Sequence, residues 1–291
     1  MTFYQSEASV SAMGENYFGM DLDKVIGLAY WGSIDYLGES QGWPNKGWTQ
    51  GVFDISLEPK PKAYYMRSFF KDEPTVHIAV TDSKGSMMWN GVQTGNEGQS
   101  DHWNRVAGTK LDITTYTNAD EVELIVNGKS YGTKQNDKKS AKMRNQIRWK
   151  DVVYQPGYCE AIAKTNGKIV ARHRIETTGK PVALKIESDN NAWKADGVDL
   201  QHLRIYAIDS KGRRVQTATG DVKITIDGTA ATLAAMSSGS QVSDELNVVD
   251  HRQLYNGSVL AILRSDINAG TVTVTAACNG LKSAKVKLIT K

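Results

Sequence analysis

A carboxylate and an indole occupy matching places near the start of the chain. Glu7 stands at the C-terminal end of the strand-like stretch TFYQS, and Trp31 ends the next apolar stretch, VIGLAYW. In parallel α/β barrels, the groups that do chemistry lie at such strand ends and in the loops that follow. A carboxylate beside an indole suits a saccharide. The acid can attack the anomeric carbon or stabilise charge developing there, while the ring packs against the apolar face of a pyranose. Tyr4, Tyr30, Tyr36, Trp43 and Trp48 crowd the same stretch, and three of the chain's seven tryptophans fall between residues 31 and 48. By composition alone, these aromatics would serve equally well as core and loop packing.

The elements that must position these residues change character at about residue 73. Residues 24–31, KVIGLAYW, form an apolar run bounded by polar residues, as expected of a strand buried on both faces. Ser9 to Phe18 can form a short helix before it. Pro61 to Phe70 predicts a second helix, with proline in the first turn and Ala63, Met66 and Phe70 on one face. The order strand, helix, strand, long loop, helix implies parallel strands.

Beyond residue 73 nearly everything reads as short alternating strands. VHIAV, LDITTYT, EVELIV, CEAIA and KIVARHRIET have strand length and period-two alternation. Asn127-Gly128 and Asn166-Gly167 lie between such stretches as hairpin turns. ALKIESD, HLRIYAIDS, DVKITIDG, SVLAILRS, TVTVTAA and AKVKLIT continue the theme, with turn spacing that suits an immunoglobulin-like sandwich. Thr177 to Pro181 is the expected linker between two sandwiches, since proline cannot continue a central strand.

Composition excludes several classes. A net charge of +3 over 291 residues, with both signs interspersed, gives no footprint for nucleic acid. The basic stretch from Lys134 to Arg148 reads as a solvated loop. No run of about 18 apolar residues offers a membrane span, and MTFYQSEASV lacks the pattern of a signal peptide. Cys159 and Cys278 each sit in a strand-like stretch and read as buried small hydrophobes rather than a disulfide. His77, His102, His173, His202 and His251 have no ligand spacing, so no metal and no cofactor is expected.

Two stretches carry a family resemblance. KVIGLAYWGSIDYLGES followed by GWTQGVFDISLEPKPKAYYMRSFF resembles the last barrel strand and closing helix of glycoside hydrolase family two, which includes β-galactosidases, β-glucuronidases and β-mannosidases. The family's Trp, three residues, Asp pattern is matched by Trp31 and Asp35. Gly51-Val52-Phe53-Asp54 and Pro59-Lys60-Pro61 match its later motifs. SEASVSAMGENYF resembles the seventh-strand segment that supplies the nucleophile.

The resemblance implies that Glu7 is the nucleophile of a retaining mechanism and that Trp31 and Trp48 line the subsite of the reacting sugar. Asp35 would contact a substrate hydroxyl or stand behind the residues that do. Where glucuronidases of the family carry Asn and Lys to bind the sugar carboxylate, this chain has Trp48-Thr49-Gln50, with Asn45-Lys46 out of register. A neutral sugar such as galactose is implied.

The implied fold is mostly β: two immunoglobulin-like β-sandwich domains preceded by a βαβα remnant of a (β/α)8 barrel. Residues 1–73 would be the barrel remnant (strands seven and eight with the closing helix), residues 74–179 one accessory sandwich and residues 180–291 the other. EVELIVNGKSYGTK and the stretch from Trp149 to Gly179 resemble the first accessory domain. Residues 193–281 resemble the terminal one.

A retaining hydrolase needs a second carboxylate about 5–5.5 Å from the nucleophile, and a barrel takes roughly 250 residues. The family's acid/base follows an Asn-Glu pair on a barrel strand, whereas Asn96-Glu97 here falls in a Gly-rich stretch of the second domain. With no such pair on a barrel strand and at most two of eight βα units in residues 1–73, the chain alone is expected to be inactive. Residues 1–73 would be covered by the missing part of the barrel or by another chain, dock on the first sandwich, or be poorly ordered. The parent enzyme is expected in the periplasm or outside the cell. The alternative reading is a non-catalytic carbohydrate-binding or spacer module, with Trp89, Trp103 and Trp193 as a sugar platform.

Overall fold

The computed structural model describes residues 2–40, 42–83, 87–89, 92–94, 98–190 and 192–291. The Asn96-Glu97 pair and the side chain of Trp89 lie outside the described residues. The chain divides into two compact units, Met1–Thr177 and Thr178–Lys291.

The first unit opens with β1 (Phe3–Ser9), a 3-10 turn, α1 (Met13–Phe18) and β2 (Val25–Trp31). β1 and β2 pair in parallel, as the strand–helix–strand order requires. A short hairpin of β3 (Tyr36–Leu37) and β4 (Gly47–Trp48) follows, then α2 (Pro61–Phe70), which begins on proline. Proline is favoured there because its missing N–H would be unbonded in any residue at that position.

The sandwich of this unit comprises β5 (Val76–Ser83), β6 (Met87–Trp89), β7 (Val92–Thr94), β8 (Gly98–Ser100), β9 (Lys110–Thr117), β10 (Glu121–Val126), β11 (Lys129–Gln135), β12 (Gln146–Val153), β13 (Tyr158–Thr165) and β14 (Lys168–Glu176). Its sheets run β11-β10-β13-β14 and β12-β9-β5-β8, antiparallel throughout. Both Asn-Gly turns take left-handed backbone, Asn127 at φ 48° and Gly128 at 81°, Asn166 at 50° and Gly167 at 73°. That geometry matches the twist of the strands it joins. Ile78, Trp103, Ile113, Val122, Leu124 and Trp149 fill the core from alternating positions.

The segment before residue 73 docks on this sandwich. Tyr65 of α2 stacks on Tyr116 of β9 at 4.9 Å, and its hydroxyl donates to the Arg144 carbonyl at 3.0 Å. Asn145 donates to the Ser68 carbonyl at 3.0 Å, and Asn118 to those of Lys71 and Glu73 at 2.9 and 3.0 Å. The Arg144 guanidinium lies 4.4 Å over Phe18, so the basic stretch Lys134–Arg148 is only partly a solvated loop. Tyr64 stacks on His77 at 3.6 Å and His77 on His173 at 4.3 Å, while the Ile78 amide donates to His173 Nδ1 at 2.9 Å.

Two details of the sequence reading are corrected. β2 is not buried on both faces: Ile26 is 75% exposed, because a two-stranded sheet with a helix packed on one side leaves its other face open. Phe70 turns outward, 57% exposed, and Tyr65 and Ser68 are the buried members of α2 together with Pro61.

The second unit contains β15 (Ala183–Ser188), β16 (Ala192–Trp193), β17 (Leu200–Ile208), β18 (Asp221–Asp227), β19 (Ala231–Ser237), β20 (His251–Gln253), β21 (Ser258–Ser265), β22 (Gly270–Cys278) and β23 (Ala284–Thr290). Its sheets run β15-β17-β21-β19 and β16-β23-β22-β18-β20 around Trp193, Leu203, Ile205, Val274 and Leu288. Asp209 pins the start of this unit by accepting from the Gly179 amide at 3.0 Å and from Arg213 Nε at 2.9 Å. Cys159 and Cys278 are free and buried, one in each unit.

Candidate active site at the ends of the parallel strands

Glu7 sits on an irregularity of β1. Gln5 pairs with Leu28 and Ala8 with Tyr30, so three steps along β1 oppose two along β2, and the bulge spans Ser6 and Glu7. A bulge re-aims a side chain and is common beside active sites. Glu7 is exposed, while the following Ala8 is buried and Ser9 pairs with Trp31. The parallel register therefore brings the carboxylate strand and the indole strand to a common end.

Trp31 is 47% exposed and held by its edge. Its Nε1 donates to the Tyr36 hydroxyl at 3.1 Å, and the two rings meet at 89°. Tyr36 in turn donates to the Glu39 carboxylate and stacks on Trp48 at 6.3 Å and 17°. Gly32 turns the chain out of β2 with φ +67°, and a Cβ there would lie 2.7 Å from Trp48 Nε1, so only glycine admits the Trp48 ring so close. The Glu39 bond, as the largest cause, raises the Tyr36 pKa above its usual value, and the Glu7 charge adds a smaller push. Glu7, Trp31, Tyr36 and Trp48 thus form one neighbourhood. Trp43, 80% exposed, rides on the loop between β3 and β4.

Asp35 is placed differently from these. It is 5% exposed, and its Oδ1 accepts from the Gly51 amide at 2.8 Å and from Lys60 Nζ at 2.7 Å. Lys60 also donates to the Thr49 carbonyl at 2.8 Å. Burial outweighs the nearby ammonium and holds the Asp35 carboxyl above the usual carboxylate range. Asp35 therefore stands behind the aromatic group and ties the turn after β2 to the Gly51 loop and the start of α2. Lys60 and Glu39 had no assigned role in the sequence. Lys60 lies in the Pro-Lys-Pro motif and Glu39 follows a glycine, which is the only local signal either one gives.

The tryptophans proposed as a sugar platform go inward: Trp103 is 0% and Trp193 6% exposed. Among the described residues one set with metal-ligand chemistry is brought together, Asp221, Glu245 and His251, with ligand atoms within 4.8 Å of one another. The Glu245 carboxylate already accepts from Ser243 and the Gln253 amide at 2.8 Å each, and Arg252 lies 3.6 Å away. A cation so placed opposes a metal ion.

Comparison with known proteins gives the family of the chain. Residues 184–287 match the model of glycoside hydrolase family 2 C-terminal domain 5, and residues 108–171 match a domain of unknown function, DUF4982. A β-galactosidase of Bacteroides ovatus is 31% identical over 271 residues, 92% of this chain and 29% of that protein. The crystal structure of a glycosyl hydrolase family 2 member from Bacteroides cellulosilyticus superposes with a TM-score of 0.89 at 29% identity, over 100% of this chain and 39% of that one.

The chain belongs to glycoside hydrolase family two.

A β-glucuronidase of Formosa agariphila is 29% identical over 82% of this chain and 22% of its own length. The chain thus spans well under half the length of these family two relatives. The Bacteroides cellulosilyticus structure is matched along the whole chain, the β1–α2 segment as well as both sandwiches. No helix among the described residues is long and apolar enough to cross a membrane.

Proposed function

We propose that this chain is the C-terminal part of a retaining glycoside hydrolase acting on a β-galactoside or a related neutral sugar. Residues 1–73 are the end of its catalytic barrel, and residues 74–179 and 180–291 are accessory sandwiches. Glu7 is the nucleophile, re-aimed by the β1 bulge. Trp31 carries the apolar face of the reacting sugar and Trp48 backs it through Tyr36. Asp35 acts through Lys60 and Gly51 to hold the loop that bears Trp48. The observation that carries this reading is the common end of two parallel strands, one bearing Glu7 and the other Trp31, whose ring is bonded to Tyr36.

The general acid/base must come from a carboxylate about 5–5.5 Å from Glu7, and the remaining barrel strands of a family two enzyme are its source. Trp48-Thr49-Gln50 favours a neutral sugar, since no cation stands in those three positions to meet a sugar carboxylate. The periplasm or the exterior is the proposed location of the parent enzyme.

The test is trapping. A 2-deoxy-2-fluoro-galactoside with a good leaving group, added to the chain joined to the rest of its barrel, should label Glu7 covalently, read by peptide mass spectrometry. Labelling at another residue would overturn the assignment. The chain alone should show no turnover of an aryl-galactoside, and robust turnover abolished by Glu7→Gln would refute the need for a second source of acid/base.

A further inference from the structure

The hydrogen-bond chain beside Trp31 reaches a residue that neither the family motifs nor the proposed reaction assigns. Trp31 is half-exposed, so packing alone leaves its indole free to rotate about two side-chain torsions. One directed bond constrains it, from Nε1 to the Tyr36 hydroxyl at 3.1 Å. A phenol has a single proton, and that proton goes to Glu39. The oxygen is therefore left to Trp31 as an acceptor.

Glu39 reaches Tyr36 from an unusual backbone. It lies at φ 42°, directly after Gly38 at φ 92°, in the left-handed region that non-glycine residues avoid. An asparagine or glycine would suit that turn better, and a glutamate there calls for an account of its side chain. The stacking of Tyr36 on Trp48 fixes the plane of the phenol, so the bond to Glu39 needs only to fix the hydroxyl torsion.

We propose that Glu39 is a positioning residue, which sets the Trp31 indole through Tyr36 so that the ring is held in one orientation before a sugar arrives. The sugar contact at Trp31 rests on the function proposed above, but the orientation itself does not.

The experiment is two-dimensional NMR of the indole N–H groups in this chain, with Trp31 assigned by Trp31→Phe. Glu39→Ala and Tyr36→Phe should both move the Trp31 indole signal and speed its solvent exchange roughly tenfold, the equivalent of one net hydrogen bond. Glu39→Gln keeps an acceptor at the same place and should restore both. The Trp103 signal, in the sandwich core, should stay put in every variant and reports that the fold is intact.

A Trp31 signal unmoved by Glu39→Ala, or moved as far by Glu39→Gln, would overturn the proposal. Loss of the Trp103 signal in Glu39→Ala would also overturn it, because Glu39 would then be holding the fold rather than one ring. Failure of the sugar reading shows separately: galactose titrated into the joined enzyme would leave the Trp31 indole signal unchanged while the variants behave as expected.

Discussion

The tryptophans of the strand-end loops and those of the sandwiches are used in opposite ways. Trp103, Trp149 and Trp193 are 0%, 2% and 6% exposed, whereas Trp31 and Trp43 are 47% and 80% exposed. The buried three supply area to cores, where an aromatic ring contributes more than any other side chain. The exposed two contribute little to folding, and their surface is available to a ligand. The contrast separates a region built for stability from one built for contact, and residue type alone does not make that separation.

The largest test of the contrast is Trp103→Ala. That side chain packs edge-on to Tyr154 at 5.2 Å and donates to the Gln155 carbonyl at 3.2 Å. Its loss should cost about 3–5 kcal/mol, read as a lower denaturant midpoint for the first unit. A cost under about 1 kcal/mol would remove the distinction.

Acidification is next. His173 accepts from the Ile78 amide, and burial, then His77, lowers its pKa to about 4 from an unfolded value of 6.5. The folded state keeps it neutral, so below pH 6.5 the unfolded chain binds a proton that the folded chain refuses. Stability should fall as pH drops from about 6.5 to 4, by at most about 3 kcal/mol. His102, lowered to about 4 by burial and by Arg105, steepens the same window. Urea melts at pH 7 and pH 4.5 measure it, and His173→Asn should flatten the slope.

Lys60→Met should cost about 1–3 kcal/mol, since it removes the ammonium that faces the buried Asp35 carboxylate. The elevated Asp35 pKa caps the loss, because the carboxyl can take up a proton instead. Thermal melting reads it. The smallest effect on stability belongs to Trp43→Ala, within about 0.5 kcal/mol. A larger shift would make Trp43 a packing residue and weaken the comparison with the buried three.

Local geometry was legible from the residues themselves. Asn127-Gly128 and Asn166-Gly167 announced their turns because left-handed backbone favours those types. Pro61 announced the start of α2, and alternation announced the strands of both sandwiches. The order of elements in residues 3–31 announced a parallel pair, which the register bears out.

The sequence by itself therefore determined the elements, the mostly β class and the motif that names Trp31 and Asp35. The tertiary structure decided what those residues do. Asp35 faces inward to Lys60, 25 positions away, and Tyr65 meets Arg144 across 79. Such partners are chosen by how distant strands and loops close on one another, and periodicity carries no record of that. Burial of Trp103 against exposure of Trp43 has the same origin, since a side chain's surroundings are set by the packed fold and its own identity constrains them only weakly.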